Sequence, residues 1–294
     1  MTLTTISDAA SPAAPEPGPE PAHPDRLHRA LAAVARRRGL REFLLIAVVY
    51  VMYDGSRFIV EGQQSTAFAH ALRVLNIEQG LDLAWEQTLN AWVSAHAVLA
   101  VPADYIYATL HYVVTPIVLV WMWRCHRDAY PRARTALVVA TVIGLIGFST
   151  IPVAPPRMLP GFVDTMAQYS THGWWGANAS APRGFGSYTN QFAAMPSLHV
   201  GWALWCGWQL IRHGQHRLTK ISGLLYPTVI TIVVIATGNH YFLDVVAGMG
   251  VVFIAMGAVG GVARLLPQRP RPEPQRRVID LRAVEAPIPS QGGR

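Results

Sequence analysis

Of the 294 residues, 51% are hydrophobic and only 14% charged, and the mean hydropathy is +0.26. Soluble domains carry roughly 25% charged residues, so the composition excludes an ordinary soluble enzyme and a disordered chain alike. The formal net charge of +7, with 24 Lys+Arg against 17 Asp+Glu, points to nucleic acid or a membrane surface, and the placement of the charges decides which.

Residues 1–25 are rich in Pro, Ala and acidic residues, with no basic segment leading into an apolar one. They are predicted to be a disordered tail rather than a signal peptide. A basic flank follows. Phe43–Val60 is the first apolar stretch, with Asp54 and Arg57 near its far end. Residues 63–98 mix apolar and polar positions at helical spacing (Phe68, Leu72, Leu75; Leu89, Trp92, Val93), the pattern of short helices lying on a membrane surface. Five stretches then lack any Asp, Glu, Lys or Arg: Tyr105–Trp123, Thr135–Pro156, Gly184–Ile211, Ile221–Leu243 and Val245–Ala263. Each holds a segment near the ~20 residues that cross a bilayer as a helix. The Pro- and Arg-rich residues 267–294 read as a second tail. Cys125 and Cys206 are too few for a disulfide scaffold and stand in no metal-ligand spacing.

Six spans sort the basic residues. Twenty of the 24 fall on one side, in the N-terminal flank, the loops after spans two and four, and the C-terminal segment. Arg57, Arg73, Arg157 and Arg183 fall on the other. One span more or fewer destroys this alternation, and the positive-inside rule then puts both termini in the cytoplasm. The expected fold is an all-α integral membrane protein of the cell membrane: a six-helix transmembrane bundle with short interfacial helices on the extracytoplasmic side. It divides into a cytoplasmic tail and flank (1–42), a membrane domain (43–266) and a cytoplasmic tail (267–294). The basic balance is thus topological, and no nucleic-acid partner is expected.

Three polar clusters fall at the extracytoplasmic ends of these spans: residues 152–157 with Arg157, residues 196–199 with Ser197 and His199, and residues 238–244 with Asn239, His240 and Asp244. His240 and Asp244 are four apart and expected to share a helix face. A carboxylate on one ring nitrogen leaves the other free as a nucleophile. Gly238 and Asn239 suggest a turn and an N-cap. Ser197 sits where a helix should begin, a favoured position for an anion. His199 is placed to deliver a proton, and Arg157 has the bidentate geometry that suits phosphate. Each of these has a plain structural reading as well, as a cap, a turn or a helix hydrogen bond. Ionisable groups gathered at one membrane face favour a functional site.

The strings around these residues, VAPPRML (153–159), AAMPSLHVGWALW (193–205) and TGNHYFLDVVAG (237–248), resemble the signatures of the type 2 phosphatidic acid phosphatase superfamily. That superfamily includes lipid phosphate phosphatases and vanadium haloperoxidases. The strings are similar to the branch containing inositol phosphorylceramide synthase and its bacterial relatives, and the resemblance covers about residues 40–265. It implies that His240 attacks phosphorus to form a phosphohistidine and that Asp244 orients it. His199 would protonate the departing alkoxide and then activate the acceptor. Arg157 and Ser197 would hold the phosphoryl oxygens, with Arg183 and Asn239 as further phosphate-binding candidates. No metal or cofactor is implied. Two of the superfamily's cationic positions are here Thr150 and Val234, and a residue that is often Gly is Leu198. One certain cation suits a phosphodiester better than a phosphomonoester dianion.

The function expected is therefore transfer of a phosphoryl-linked head group from a membrane lipid to a lipid or other alcohol acceptor. With water as acceptor, the same machinery is a lipid phosphatase or phosphodiesterase. A proton-coupled transporter is the rival from another class, but transporters place their ionisable groups near the midplane, often in repeated halves, and no repeat is visible. Asp104 and His111, seven apart on span two, are expected either to line an acceptor pocket or to form a structural hydrogen bond. Asp54 and Arg57 are expected to pair. Trp174, Trp175 and Tyr188 read as interfacial anchors, and Trp202, Trp205 and Trp208 as packing along span four.

Overall fold

Each of the six charge-poor stretches contains a helix. The computed structural model describes residues 38–55, 63–176, 179–182 and 191–265. Its helices are α1 (Arg38–Gly55), α2 (Gln64–Gly80), α3 (Glu86–Ser94), α4 (Ala97–Cys125), α5 (Tyr130–Thr150), the short α6 (Thr165–Gln168), α7 (Leu198–His213), α8 (Arg217–Ala236) and α9 (Phe242–Leu265). Two short strands, β1 (Trp175–Gly176) and β2 (Ala179–Pro182), pair antiparallel. Both predicted tails, except for the flank from Arg38, lie outside the described residues, as do Arg57, Arg183 and Tyr188.

Four helices, α4, α5, α8 and α9, are long and apolar enough to cross a membrane, with 29, 21, 20 and 24 residues. The chain has the features of a membrane protein. α1 has 18 residues and α7 only 16, short of the ~20 that a span usually takes. Of the apolar run 184–211, the part described from Gln191 turns helical at Leu198, because Pro196 lacks an N–H and Ser197 takes the N-cap position. Pro102 and Pro116 lie inside α4, and Pro227 inside α8. In apolar bundles, neighbouring helices can re-satisfy the backbone groups that proline frees.

α7 is the central helix, packed against α4, α5, α8 and α9. The main core is built on it from Val200, Trp205, Ile230, Val234, Val252 and their neighbours. Gly207 and Gly223 bring α7 and α8 within backbone contact: a Cβ on Gly207 would lie 2.3 Å from the Gly223 carbonyl oxygen. Trp205 donates its indole N–H to the Ala133 carbonyl at 2.9 Å, and Trp202 to the Thr141 hydroxyl at 3.0 Å. These two therefore pack as expected, whereas Trp208 is nearly half exposed. α1 is tied to α5 through Glu42, which accepts from Tyr130 and pairs with Arg134 at 3.1 Å.

A second core covers one end of the bundle. Ala67, Ala71 and Val74 of α2 pack on Val153, Ala154, Leu159, Ala194 and Tyr241. The region 63–98 does form two helices, but the buried stripe of α2 is Ala67, Ala71, Val74 and Glu78, whereas Leu72 is half exposed. Small residues face inward because α2 lies close over the loops beneath it. Trp175, expected at the interface, is fully buried and donates to the Met166 carbonyl at 2.8 Å. Trp174 remains exposed.

Candidate functional site

The residues covered by α2 are the three motif loops, and backbone bonds lace them together. Val153 N–H donates to Phe192, Ala194 N–H to Val153, Arg157 N–H to Gly238 at 2.7 Å, and Ser197 N–H to the Asp244 carbonyl at 2.9 Å. The Tyr241 hydroxyl donates to Ala154 at 3.0 Å. Gly238 has φ +71°, a left-handed turn that glycine adopts without strain. Gly248 allows α9 to approach the start of α7: a Cβ there would lie 2.3 Å from the Ser197 carbonyl oxygen. His199, His240, Asp244, Ser197, Arg157 and Asn239 thus occupy one region, though separated by more than eighty residues in sequence.

His240 is nearly buried, and its Nδ1 lies 2.8 Å from the Ala194 carbonyl and 3.4 Å from Asp244 Oδ2. A carbonyl only accepts, so Nδ1 carries a proton, and in the neutral ring Nε2 keeps its lone pair. Nε2 faces His199 Nδ1 at 3.4 Å. One tautomer assignment satisfies the whole chain: His199 Nδ1–H donates to His240 Nε2, and His240 Nδ1–H donates to Ala194. The contact with Asp244 does not arise from a shared helix face, because α9 begins at Phe242, after His240. Asp244 instead reaches back to cap the Tyr241 N–H at 2.9 Å, and that bond turns its carboxylate toward the preceding loop.

His199 lies between three rings. It stacks on Tyr107 at 4.6 Å between centroids, meets His111 edge-on at 4.5 Å, and faces His240 at 5.5 Å. His111 therefore borders the site, whereas Asp104 is buried and accepts from the Thr165 hydroxyl at 2.6 Å. Of the two alternatives for this pair, Asp104 takes the structural one.

Arg157 lies on a single 3₁₀ turn, Pro156–Met158, with 7% of its side chain exposed. It donates to Asn239 Oδ1 and pairs with Asp164 Oδ2 at 3.4 Å. Asn239 is not the cap of α9. Its amide group donates to Thr237, and its oxygen receives Arg157. Ser197 is the cap of α7: its Oγ accepts the Val200 N–H at 3.4 Å, which leaves the hydroxyl proton to donate. Thr150 bonds back to Ile146 at the end of α5, and Val234 is buried, its carbonyl accepting from both Asn239 and His240. Leu198 packs against Gly144, which has no side chain to obstruct it. Tyr241 is fully buried, and burial together with the carboxyls of Asp244, Glu78 and Glu86 raises its phenol above the ordinary range.

Several contributors left little trace in the sequence. Asp164 caps α6 by accepting the Ala167 N–H at 3.0 Å while it holds Arg157; an acid three residues before a helical amide was a readable cap signal. The Ala194 carbonyl has no side-chain signature at all. Buried Asn90 binds both the N–H and the carbonyl of Val163 and also the Ala236 carbonyl, at 2.7, 3.0 and 2.9 Å. It thereby joins α3 to the end of α8 and to the loop behind Arg157. A cavity of about 840 Å³ lies elsewhere, lined by Glu42, Trp123, Arg127, Tyr130 and Arg134 among others, and includes none of the motif residues.

A family model described as the PAP2 superfamily matches residues 72–258, a range that takes in all three motif strings. Neither the curated proteins nor the solved structures searched gave a match.

Proposed function

The chain belongs to the PAP2 superfamily, whose chemistry is that of lipid phosphatases and phosphotransferases, and from that premise we propose that it transfers a phosphoryl-linked head group from a membrane lipid to an alcohol acceptor. The observation that carries the proposal is the chain of two imidazoles ending on Ala194: with both rings neutral and His199 Nδ1 as donor, a lone pair on His240 Nε2 faces a proton on His199. In the first step Nε2 attacks phosphorus, the bond to the lipid alkoxide breaks, and His199 gives that oxygen its proton. In the second, His199 takes the proton of an acceptor hydroxyl, the new oxygen attacks phosphorus, and the P–N pair returns to His240. Asp244 orients the ring and stabilises the charge it gains. Arg157, the Ser197 hydroxyl and the amides at the start of α7 hold the phosphoryl oxygens.

Transfer within the inositol phosphorylceramide synthase-like branch is favoured by the charge at the site. Among the described residues, Arg157 is the cation bonded into this cluster, and Asp164 already offsets part of it. Such a site compensates the single charge of a phosphodiester better than the double charge of a monoester. We further read the six charge-poor helices as six spans, with α2 and α3 interfacial, the motif end extracytoplasmic and both termini cytoplasmic; the distribution of basic residues supports this arrangement. In-line transfer needs reacting atoms roughly 3–3.5 Å apart on each side of phosphorus. With the two nitrogens 3.4 Å apart, substrate entry has to part the rings.

The test is incubation of the purified protein with a panel of labelled membrane lipids, with and without alcohol acceptors. A product formed only with an acceptor is the expected result. Release of free phosphate or phosphorylated head group in water alone would make the protein a hydrolase. Proton-coupled uptake in liposomes without lipid turnover would overturn the enzymatic reading.

A further inference from the structure

Two acids that belong to none of the motif strings lie beneath the start of α9. Glu78, near the end of α2, and Glu86, the first residue of α3, are both 0% exposed; their carboxyls are neighbours, and Glu78 Oε2 and both Glu86 oxygens are buried with no hydrogen-bond partner. Two neighbouring buried carboxyls whose oxygens lack donors are costly to keep charged together, so the pair keeps a proton. Glu78 Oε1 also accepts the Leu243 N–H at 2.7 Å, an amide of the first helical turn that has no partner within the helix. Asp244 is the next residue, and it caps Tyr241 from the same turn. The turn that carries Asp244 is therefore held at Tyr241 by its own carboxylate and at Leu243 by a carboxyl from another helix.

We propose that Glu78 and Glu86 form a proton-sharing carboxyl pair that positions the first turn of α9, and through it Asp244 and His240, for the reaction. This rests on the reading of His240 as nucleophile. The described ionisable groups that face the pair are Asp244 and Tyr241, with His240 beyond Asp244. Full ionisation would set three carboxylates against one another in a buried space. Burial, followed by the neighbouring Glu86 carboxyl, pushes the pKa of Glu78 from 4.5 to about 9. The folded chain thus keeps a proton that the unfolded chain releases. Between these two values stability falls as pH rises, and the fall ends once the folded form also loses the proton.

The experiment uses the full chain in detergent: thermal unfolding from about pH 5 to 9.5, and kcat and KM on labelled phospholipid, for wild type, Glu78→Gln, Glu78→Ala and His240→Ala. Glu78→Gln keeps an acceptor for Leu243 and a donor for Glu86 but does not titrate. It should flatten the fall of melting temperature with pH, remove the loss of kcat near pH 9 and keep kcat within about threefold at neutral pH. Glu78→Ala should lose kcat about tenfold or more with KM nearly unchanged. A wild-type pH slope in Glu78→Gln, or a wild-type kcat in a folded Glu78→Ala, overturns the proposal. If Glu78→Ala does not fold, the slope and pH profile of Glu78→Gln decide alone. Full activity in His240→Ala would overturn the nucleophile reading instead, and the melting slopes would still decide whether the pair shares a proton.

Discussion

His240 shows how a side chain is prepared by groups other than its obvious partner. The four-residue spacing to Asp244 suggested a carboxylate-oriented imidazole, and the two do meet, yet the shorter bond is to the Ala194 carbonyl. On the proposed mechanism His240→Ala abolishes turnover while the melting temperature stays near wild type, and undiminished product formation would end the phosphohistidine idea. Arg157→Lys should lower kcat/KM by about tenfold to a hundredfold, because a lysine is a point charge and cannot donate to Asn239 and to a phosphoryl oxygen in one plane. Asp164→Asn removes the anion that offsets Arg157. It should raise activity on phosphomonoesters relative to phosphodiesters by about fivefold, measured by competing the two labelled substrates in one reaction. An unchanged ratio would show that the charge of Arg157 does not set the choice.

At the scale of elements, the site depends on how closely α9 approaches the start of α7. Gly248 permits that approach, and the amide of Ser197 then reaches the Asp244 carbonyl. Gly248→Ala should destabilise the protein by about 1–3 kcal/mol, since its Cβ meets backbone that cannot rotate away, and turnover should fall with it. Gly250→Ala, two residues on, meets nothing within 4 Å and should leave both unchanged. Equal melting temperatures for the two variants would refute the close-contact argument. The sequence made the helices legible because charge is absent over long runs. It also made the motif loops legible, since Pro, Gly and polar residues interrupt those runs. The close approach was not legible, because a glycine in an apolar helix looks the same whether it faces lipid or backbone. Nor were the roles of Asn90 and Glu78, whose backbone partners lie more than seventy residues away in the chain.

For the molecule as a whole, charge divides the bundle by end. The motif loops join α5 to α7 and α8 to α9, at one end. Arg124, Arg127, Arg132 and Arg134, together with Arg212, Arg217 and Lys220, lie at the opposite turns, from α4 to α5 and from α7 to α8. Antiparallel neighbours force this separation, so the sidedness of one loop fixes that of the others. The cysteines give a direct test. Cys125, exposed at the basic end of α4, should react with a membrane-impermeant maleimide only after cells are permeabilised, whereas buried Cys206 should not react in the folded protein. Thr171→Cys, exposed in the segment between α6 and β1, should react in intact cells in a Cys125→Ser background. The positive-inside rule predicts that pair of outcomes. The reverse pattern would place His199 and His240 on the cytoplasmic side, and the lipids presented to them would then be those of the inner leaflet.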